Sequence, residues 1–518
     1  MAEPIPLEKE RGFLRELGLV DSVMIVAGSM IGSGIFIVSA NVARHLGSPG
    51  GLLLAWIVSG LMVTIAAASY GELAAMMPRV GGQYVYLREA YSTMLGFLFG
   101  WTLFLVIQTG TIAAVAVAFA SFLAVLVPGV SSSAWIVPPI DISSGYAVSL
   151  SAQQLVAILL IVLLTFANTR GVRIGKLIQN SFTWAKTAAL LALIVLGIVA
   201  GRAWAENSAG FWTPRDAITV TPDFGLAPPV AATEGGFALV VVFLLALVGP
   251  LFSASAWNDV AFAAAEIRDP RRNLPIALGL GVALVSLLYV LANVAYVRAL
   301  PVEAIAGAPE NRVGTAALEA ILGGGGAAIM AVAIMISTFG CNNGLILSGS
   351  RVYYAMARDG LFFRGVGRLN RWRVPAVGLA IQCVWASLLV IPRTRLRDAS
   401  GAPVLDATGA PQYGNVYSNL LEYVVFAVLL FYILTIAGIF VLRRKRPDAE
   451  RPYRAFGYPL LPLVYILGAC CVLLALLVYK TRTTWPGLLI VLTGIPVYFL
   501  WKRMGAPMAE PPQESPGS

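Results

Sequence analysis

About a dozen apolar runs of membrane-spanning length, joined by short polar links, dominate this chain. A bilayer core about 30 Å thick is crossed by a helix of roughly 20 apolar residues. The runs fall near residues 17–43, 52–77, 91–127, 152–169, 179–200, 236–266, 275–299, 327–357, 375–392, 418–442, 459–479 and 485–502. Only 12% of the 518 residues are charged, about half of the roughly 25% of a typical soluble domain. That is too little charge to clothe several soluble surfaces. The runs also lack the apolar/polar alternation of a membrane barrel. The expected fold class is an all-α polytopic membrane protein with 12 transmembrane helices.

The net charge of +10 first suggests an anionic partner. Nucleic acid would need a basic face or stripe. Here Arg and Lys fall in short clusters between apolar runs, so the positive-inside rule accounts for them better. With a cytoplasmic N-terminus, 25 of the 36 Lys and Arg residues fall on the inner side and 10 on the outer, with Lys186 left inside a span. Both termini are therefore expected in the cytoplasm of a cell-membrane protein. The four cysteines, Cys341, Cys383, Cys470 and Cys471, have no zinc spacing and form no evident disulfide framework. His45, the single histidine, excludes any mechanism that needs two. Met1 to Glu16 mixes both charges and does not read as a cleavable signal.

Two spans differ from the rest. The first contains Gly28-Ser29-Met30-Ile31-Gly32-Ser33-Gly34-Ile35-Phe36. Each glycine weakens a helix by about 1 kcal/mol relative to alanine. The sixth contains Gly249-Pro250-Leu251-Phe252-Ser253-Ala254-Ser255-Ala256-Trp257-Asn258-Asp259, where proline removes a helix hydrogen bond and small polar residues follow. If spans 1–5 and 6–10 are two halves, each break opens a half. Paired interrupted helices are the best sequence pointer to a midplane substrate site in a transporter. Tight packing by small residues is the competing explanation. Two breaks in corresponding positions favour the site.

A break at membrane depth frees N–H groups on one side and C=O groups on the other, and all must be satisfied. The N–H end, at the positive pole of a half-helix, suits a carboxylate. The C=O end suits an ammonium. A molecule bearing both is an α-amino acid, although an ion plus a neutral solute would also fit.

At these residues the chain resembles the amino acid–polyamine–organocation (APC) superfamily, most closely the L-type amino acid transporters and their bacterial relatives. The run 28–36 is similar to that family's first-helix motif. Ala256-Trp257-Asn258, followed by Glu266-Ile267-Arg268-Asp269-Pro270, is similar to its sixth-helix motif. Tyr70-Gly71-Glu72-Leu73 with Gly81-Gly82-Gln83-Tyr84, Ser337-Thr338-Phe339-Gly340, and Arg451-Pro452-Tyr453-Arg454 resemble further segments, so the likeness runs over roughly residues 15 to 500.

The resemblance implies a leucine-transporter-type fold, a 5+5 inverted repeat with broken helices 1 and 6. The parts would be a cytoplasmic segment 1–16, a first repeat 17–200, a second repeat 236–442, two peripheral helices within 459–502 and a cytoplasmic tail 503–518. It also implies a substrate carboxylate at Ser29, Gly32, Ser33 and Gly34, met mainly by backbone N–H groups. The ammonium would meet carbonyls near Ala27, Gly28, Phe252 and Ser255, with Phe252 as a lid and Asn258 bracing the unwound sixth helix. Family members often carry Gly or Asp where this chain has Ser255, and Gly where it has Ala256. Lys186 matches a fifth-helix lysine of L-type transporters. Its ammonium would stand where sodium-coupled relatives hold an ion, bonded to carbonyls near Val26 or Ala27 and to Ser337 or Thr338. Animal members bind a glycoprotein partner through a cysteine in the loop after the third helix. The loop 127–151 has none here, so no disulfide-linked heavy subunit is expected.

Individual residues carry further expectations. Glu266 is expected to pair with Arg268 or Arg271 at a helix end, and Glu72 with Arg79 or Arg88. Asp259 either caps the second half-helix or relays a proton. Glu422 reads as interfacial, His45 as an exposed loop residue, and Tyr84 and Tyr86 as part of an interfacial aromatic belt. Trp257 either stacks near the substrate or anchors the broken helix. The link from Arg393 to Gly414 reads as a flexible external loop. The leading function is secondary transport of neutral L-amino acids by alternating access, as sodium-independent exchange or facilitated uptake, with proton-coupled symport as the alternative. A membrane receptor without transport is the rival from another class. No nucleophile–base pair or metal cluster supports an enzyme, and no cofactor is expected.

Overall fold

The structure is a computed structural model that describes residues 13, 15–143, 145–396, 404–405, 411–414 and 416–504. The first span forms Leu19–Met30 (α1) and Gly34–Leu46 (α2), bent by 42° at the glycine run. Pro49–Met76 (α3) follows, started by Ser48, whose hydroxyl accepts the Gly51 N–H while Pro49 occupies the first turn. Then come Gln83–Ala90 (α4), Thr93–Thr102 (α5), a π-helical turn at Leu103–Ile107, and Gln108–Leu126 (α6). Ala152–Asn168 (α7) begins with a capping box between Ser151 and Gln154. Val172–Ala200 (α8) and Trp204–Ser208 (α9) complete the first half of the chain.

The sixth span is broken into Gly236–Ala246 (α10), Val248–Ser253 (α11) and Asp259–Phe262 (α12). Pro270–Ala299 (α13), Val302–Ala306 (α14), Val313–Leu322 (α15), Gly326–Arg358 (α16) and Ala376–Leu389 (α17) follow. Val416–Lys445 (α18), Leu460–Tyr479 (α19) and Thr481–Met504 (α20) end the described chain. Among the described residues nine helices are long and apolar enough to cross a membrane, and the bent α1–α2 pair makes ten. Two shorter apolar helices, α7 and α17, occupy the expected fourth and ninth spans. Outward faces carry exposed apolar residues such as Leu61, Leu159, Val199, Leu280 and Leu467, which suit lipid rather than water.

The expectation of an all-α chain needs correction. Trp135–Asp141 (β1), Tyr146–Ser151 (β2) and Pro392–Thr394 (β3) form an antiparallel sheet in the order β1-β2-β3, with Ala147 opposite both Asp141 and Arg393. The link from Arg393 therefore starts as paired strand, not as free loop. Arg393 donates to Ser149 at 3.1 Å, and Arg395 pairs with Asp141 at 2.8 Å. Residues 397–403 and 406–410 of that link lie outside the described residues. A membrane-scale search for apolar runs passes over such short β-branched stretches.

Several single-residue expectations are also overturned. Glu266 pairs with Arg351, not with Arg268 or Arg271, at 2.9 Å and with both side chains buried. Glu72 pairs with Arg443 at 2.7 Å, lies 3.4 Å from Arg451 and accepts the Ala455 N–H, so Arg79 and Arg88 are not its partners. In each case the ion pair joins elements far apart in sequence, whereas sequence reasoning looks to near neighbours. His45 is buried in the last turn of α2, its Nδ1 2.8 Å from the Asn41 carbonyl. Tyr84 and Tyr86 are buried, not interfacial: Tyr84 donates to Asp359 at 2.5 Å and Tyr86 packs edge-on against Tyr70. The side chain of Glu422 lies outside the described residues.

Candidate functional site

The two breaks lie side by side. A Cβ added to Gly34, the first residue of α2, would come within 2.9 Å of the Ser253 backbone at the end of α11. Only glycine permits that approach without moving the chain. The Tyr289 hydroxyl of α13 reaches both breaks, 2.7 Å from the Met30 carbonyl and 3.1 Å from that of Ser253. Gly28 plays the same part toward α8, where a Cβ would overlap the Gln179 side chain.

The carbonyls freed at the first break are largely occupied. Lys186, in the middle of α8 and 1% exposed, donates to Gly28 at 2.5 Å and to Ile31 at 2.7 Å. Ser337 of α16 donates toward the carbonyls of Ile31 and Gly32 at 3.1 and 3.2 Å. Cys341 donates to Ser29 at 3.1 Å. The Ala27 carbonyl accepts the Ile31 N–H. The lysine thus sits where the resemblance placed it, but on different carbonyls from those expected, Gly28 and Ile31 instead of Val26 or Ala27. Thr338 bonds back to Ile334 and Met335 of its own helix and does not join the cluster. The reason is rotational: Ser337 and Thr338 are adjacent, so only one can face α1. With Gly28 engaged by Lys186, the first half of the expected ammonium site is filled from within the protein.

On the N–H side, Gly34 and Ile35 open α2, and a helix's first N–H groups have no intrahelical acceptor. Among the described residues the buried Ser29 hydroxyl has no partner, and Gly32 donates back to the Met30 carbonyl. Ser33 precedes α2 in right-handed helical backbone and is buried.

The sixth-helix break is held open by side chains from α4 and α18. Asn258 donates to Gln83 at 2.8 Å and accepts from Tyr432 at 2.7 Å. Gln83 in turn donates to the Phe431 carbonyl and to Thr435. Ala256 has φ +65°, a left-handed conformation that costs a side-chain-bearing residue roughly 1–2 kcal/mol. The glycine expected there from the resemblance would adopt it freely. Ser255 bonds back to the Phe252 carbonyl at 2.6 Å, so that carbonyl is engaged too. Trp257 is fully buried and its ring packs against Tyr70 and Tyr432.

Two cavities flank this break. The larger is lined by Ser255, Ala256, Asn258 and Asp259 together with Gln83, Gln108 and apolar residues of the π-helical turn and α18. The other borders Phe252, Ser255, Trp257 and Tyr432 and is almost wholly apolar. Neither reaches the glycine run. Gln108, Tyr289 and Ser348 were missed by sequence reasoning. The available signal was a polar group deep inside an apolar run, which by default marks function or a partner.

The profile of the amino acid permease family matches residues 17–499. The chain belongs to the amino acid permease family. Within the APC superfamily its relatives are L-type transporters. It is 33% identical to the large neutral amino acids transporter small subunit 2 of Mus musculus over 493 residues, covering 94% of this chain and 81% of that protein. The Asc-type amino acid transporter 1 of Mus musculus is 29% identical, with the same coverage. The b(0,+)-type amino acid transporter 1 of Mus musculus is 27% identical, covering 95% of this chain and 89% of that one. The permease is a multi-pass membrane protein, and these relatives are transporters, not enzymes.

Proposed function

We propose that the protein is a secondary transporter of neutral L-amino acids that works by alternating access, as sodium-independent exchange or facilitated uptake. The observation that carries this reading is the adjacency of two broken helices at Gly34 and Ser253, in a chain whose relatives are named as amino acid transporters. A break offers N–H groups to a carboxylate and carbonyls to an ammonium. The substrate carboxylate is assigned to the opening turn of α2, with Ser29, Gly32, Ser33 and Gly34 around it. The ammonium is assigned to the unwound sixth-helix stretch around Phe252 and Ser255, as the resemblance implies. Alternating access would rock the helices that carry the breaks against the rest.

The finer architecture belongs to the same proposal: ten span candidates plus α7 and α17 make twelve, arranged as a 5+5 inverted repeat with repeats at 17–200 and 236–442. The chain is proposed to work without a disulfide-linked heavy subunit, since residues 127–151 contain no cysteine. The protein is placed in the cell membrane with both termini inside. Purified protein in liposomes preloaded with unlabelled amino acid is expected to accumulate labelled neutral amino acids by counterflow. No accumulation of any amino acid would refute the transport reading and leave a receptor role.

Orientation has its own test. In a background with the four native cysteines replaced by alanine, Ser400→Cys should react with an impermeant maleimide on intact cells. Arg368→Cys should react only after permeabilisation. Labelling at 368 but not at 400 overturns the orientation.

A further inference from the structure

The wall of the larger cavity holds a carboxylate without a cation. Asp259 is the first residue of α12 and is 2% exposed. Its Oδ2 accepts from Ser348 of α16 at 2.5 Å and from Gln108 of α6 at 3.1 Å, and both partners are neutral. Among the described residues Asp259 makes no ion pair. The titratable groups that sense it, Tyr70, Cys341, Tyr353 and Tyr432, are acids and supply no positive charge. A carboxylate taken out of water with only two neutral donors is electrostatically incomplete, and a donor from the cavity's occupant offsets that cost.

The other polar groups in that wall are already spent. Gln83 and Asn258 close a network with Tyr432, Thr435 and the Phe431 carbonyl. Thr111 donates to the Ile107 carbonyl at 2.6 Å. The Gln108 amide nitrogen faces three acceptors, Asp259, Ser348 and the Leu345 carbonyl, which fixes its amide orientation. Among the described residues this leaves two acceptors without a donor, Asp259 Oδ1 and Gln108 Oε1. Both residues line the cavity that Ser255 and Ala256 of the break also line. Two open acceptors in a wall whose other polar groups are already paired match the two N–H bonds of a primary carboxamide.

We propose that Asp259, assisted by Gln108, is a specificity-determining residue of this cavity and selects amino acids whose side chain ends in a carboxamide. The proposal rests on the transport reading above and assigns the cavity to the substrate side chain. A site built to hydrogen-bond a substrate group discriminates strongly against the analogue lacking it, whereas an apolar pocket separates similar sizes weakly.

The test is counterflow in liposomes with two shape-matched pairs, glutamine against methionine and asparagine against leucine. The wild type should show a KM for each amide at least about 10-fold below that of its apolar match. Asp259→Leu should bring the ratio to about one or reverse it. Asp259→Asn, which keeps shape and an acceptor, should reduce the ratio only partly, and it carries the test if Asp259→Leu does not elute as a single species in detergent. A wild type that transports both pairs without preference overturns the proposal while leaving the transport reading intact. Variants that lose both substrates equally, with the ratio preserved, also overturn it and make Asp259 a structural cap. So does an unchanged ratio with a flattened pH profile, which would make Asp259 a proton site.

Discussion

Lys186→Ala is expected to abolish counterflow of any amino acid, at least 100-fold below wild type by order of magnitude, while the protein still reaches the membrane. The buried ammonium holds the Gly28 and Ile31 carbonyls, both freed by the helix break. Removing it strips the Gly28 carbonyl of its donor, at roughly 1–3 kcal/mol, and leaves the Ile31 carbonyl with Ser337 alone. Water or a local collapse of the break would then satisfy them, and either would disturb the N–H groups at the start of α2. The same geometry supports the proposal that transport needs no sodium. The Lys186 amine already occupies the carbonyl cluster between α1, α8 and α16, together with Ser337. Replacing sodium by choline should leave wild-type uptake unchanged. Uptake that collapses in choline would refute the surrogate-ion role. A fully active Lys186→Ala protein would show that the lysine only fills space in α8.

The largest stability effect is expected at Arg351. Its guanidinium faces Glu266 with separations of 2.9 and 3.4 Å and also donates to the Leu347 carbonyl. Both side chains of the pair are at most 1% exposed. Arg351→Met leaves the Glu266 carboxylate buried without its cation, which costs about 3–5 kcal/mol. The pair joins the last turn of the sixth span to α16. The Glu266 carbonyl also accepts the Leu17 N–H at 3.0 Å, and Arg268 donates back to Leu17 at 2.8 Å, so the approach to α1 hangs on the same point. Thermal unfolding in detergent, followed by size-exclusion elution, should fall sharply for Arg351→Met and for Glu266→Leu. The double variant should recover most of the loss, because an apolar pair of similar volume carries no unpaired charge. A single variant as stable as wild type would contradict the reading.

The positions of the helices were legible before any coordinates. Runs of about 20 apolar residues can only be helices in lipid, because every backbone group must bond internally. Both breaks were legible for the same reason, since Gly28, Gly32, Gly34 and Pro250 are expensive in a helix interior and stand out against Leu and Val. The sheet was less visible. Its strands are seven residues long or shorter and lie outside the spans, and β2 pairs with β3 across more than 240 positions, so no local period announces the sheet.

The sequence by itself determined that this is a polytopic helical membrane protein with two interrupted helices, and the stretches in which the interruptions fall. Those properties follow from hydropathy and backbone propensity, which each segment expresses without reference to the others. Only the tertiary structure decided which carbonyls Lys186 takes, that Ser337 joins it while Thr338 turns away, and that Glu266 and Glu72 find their arginines in α16 and α18. The cost of burying a polar group is local, but the partner that offsets it is chosen by how the helices pack, often hundreds of residues away.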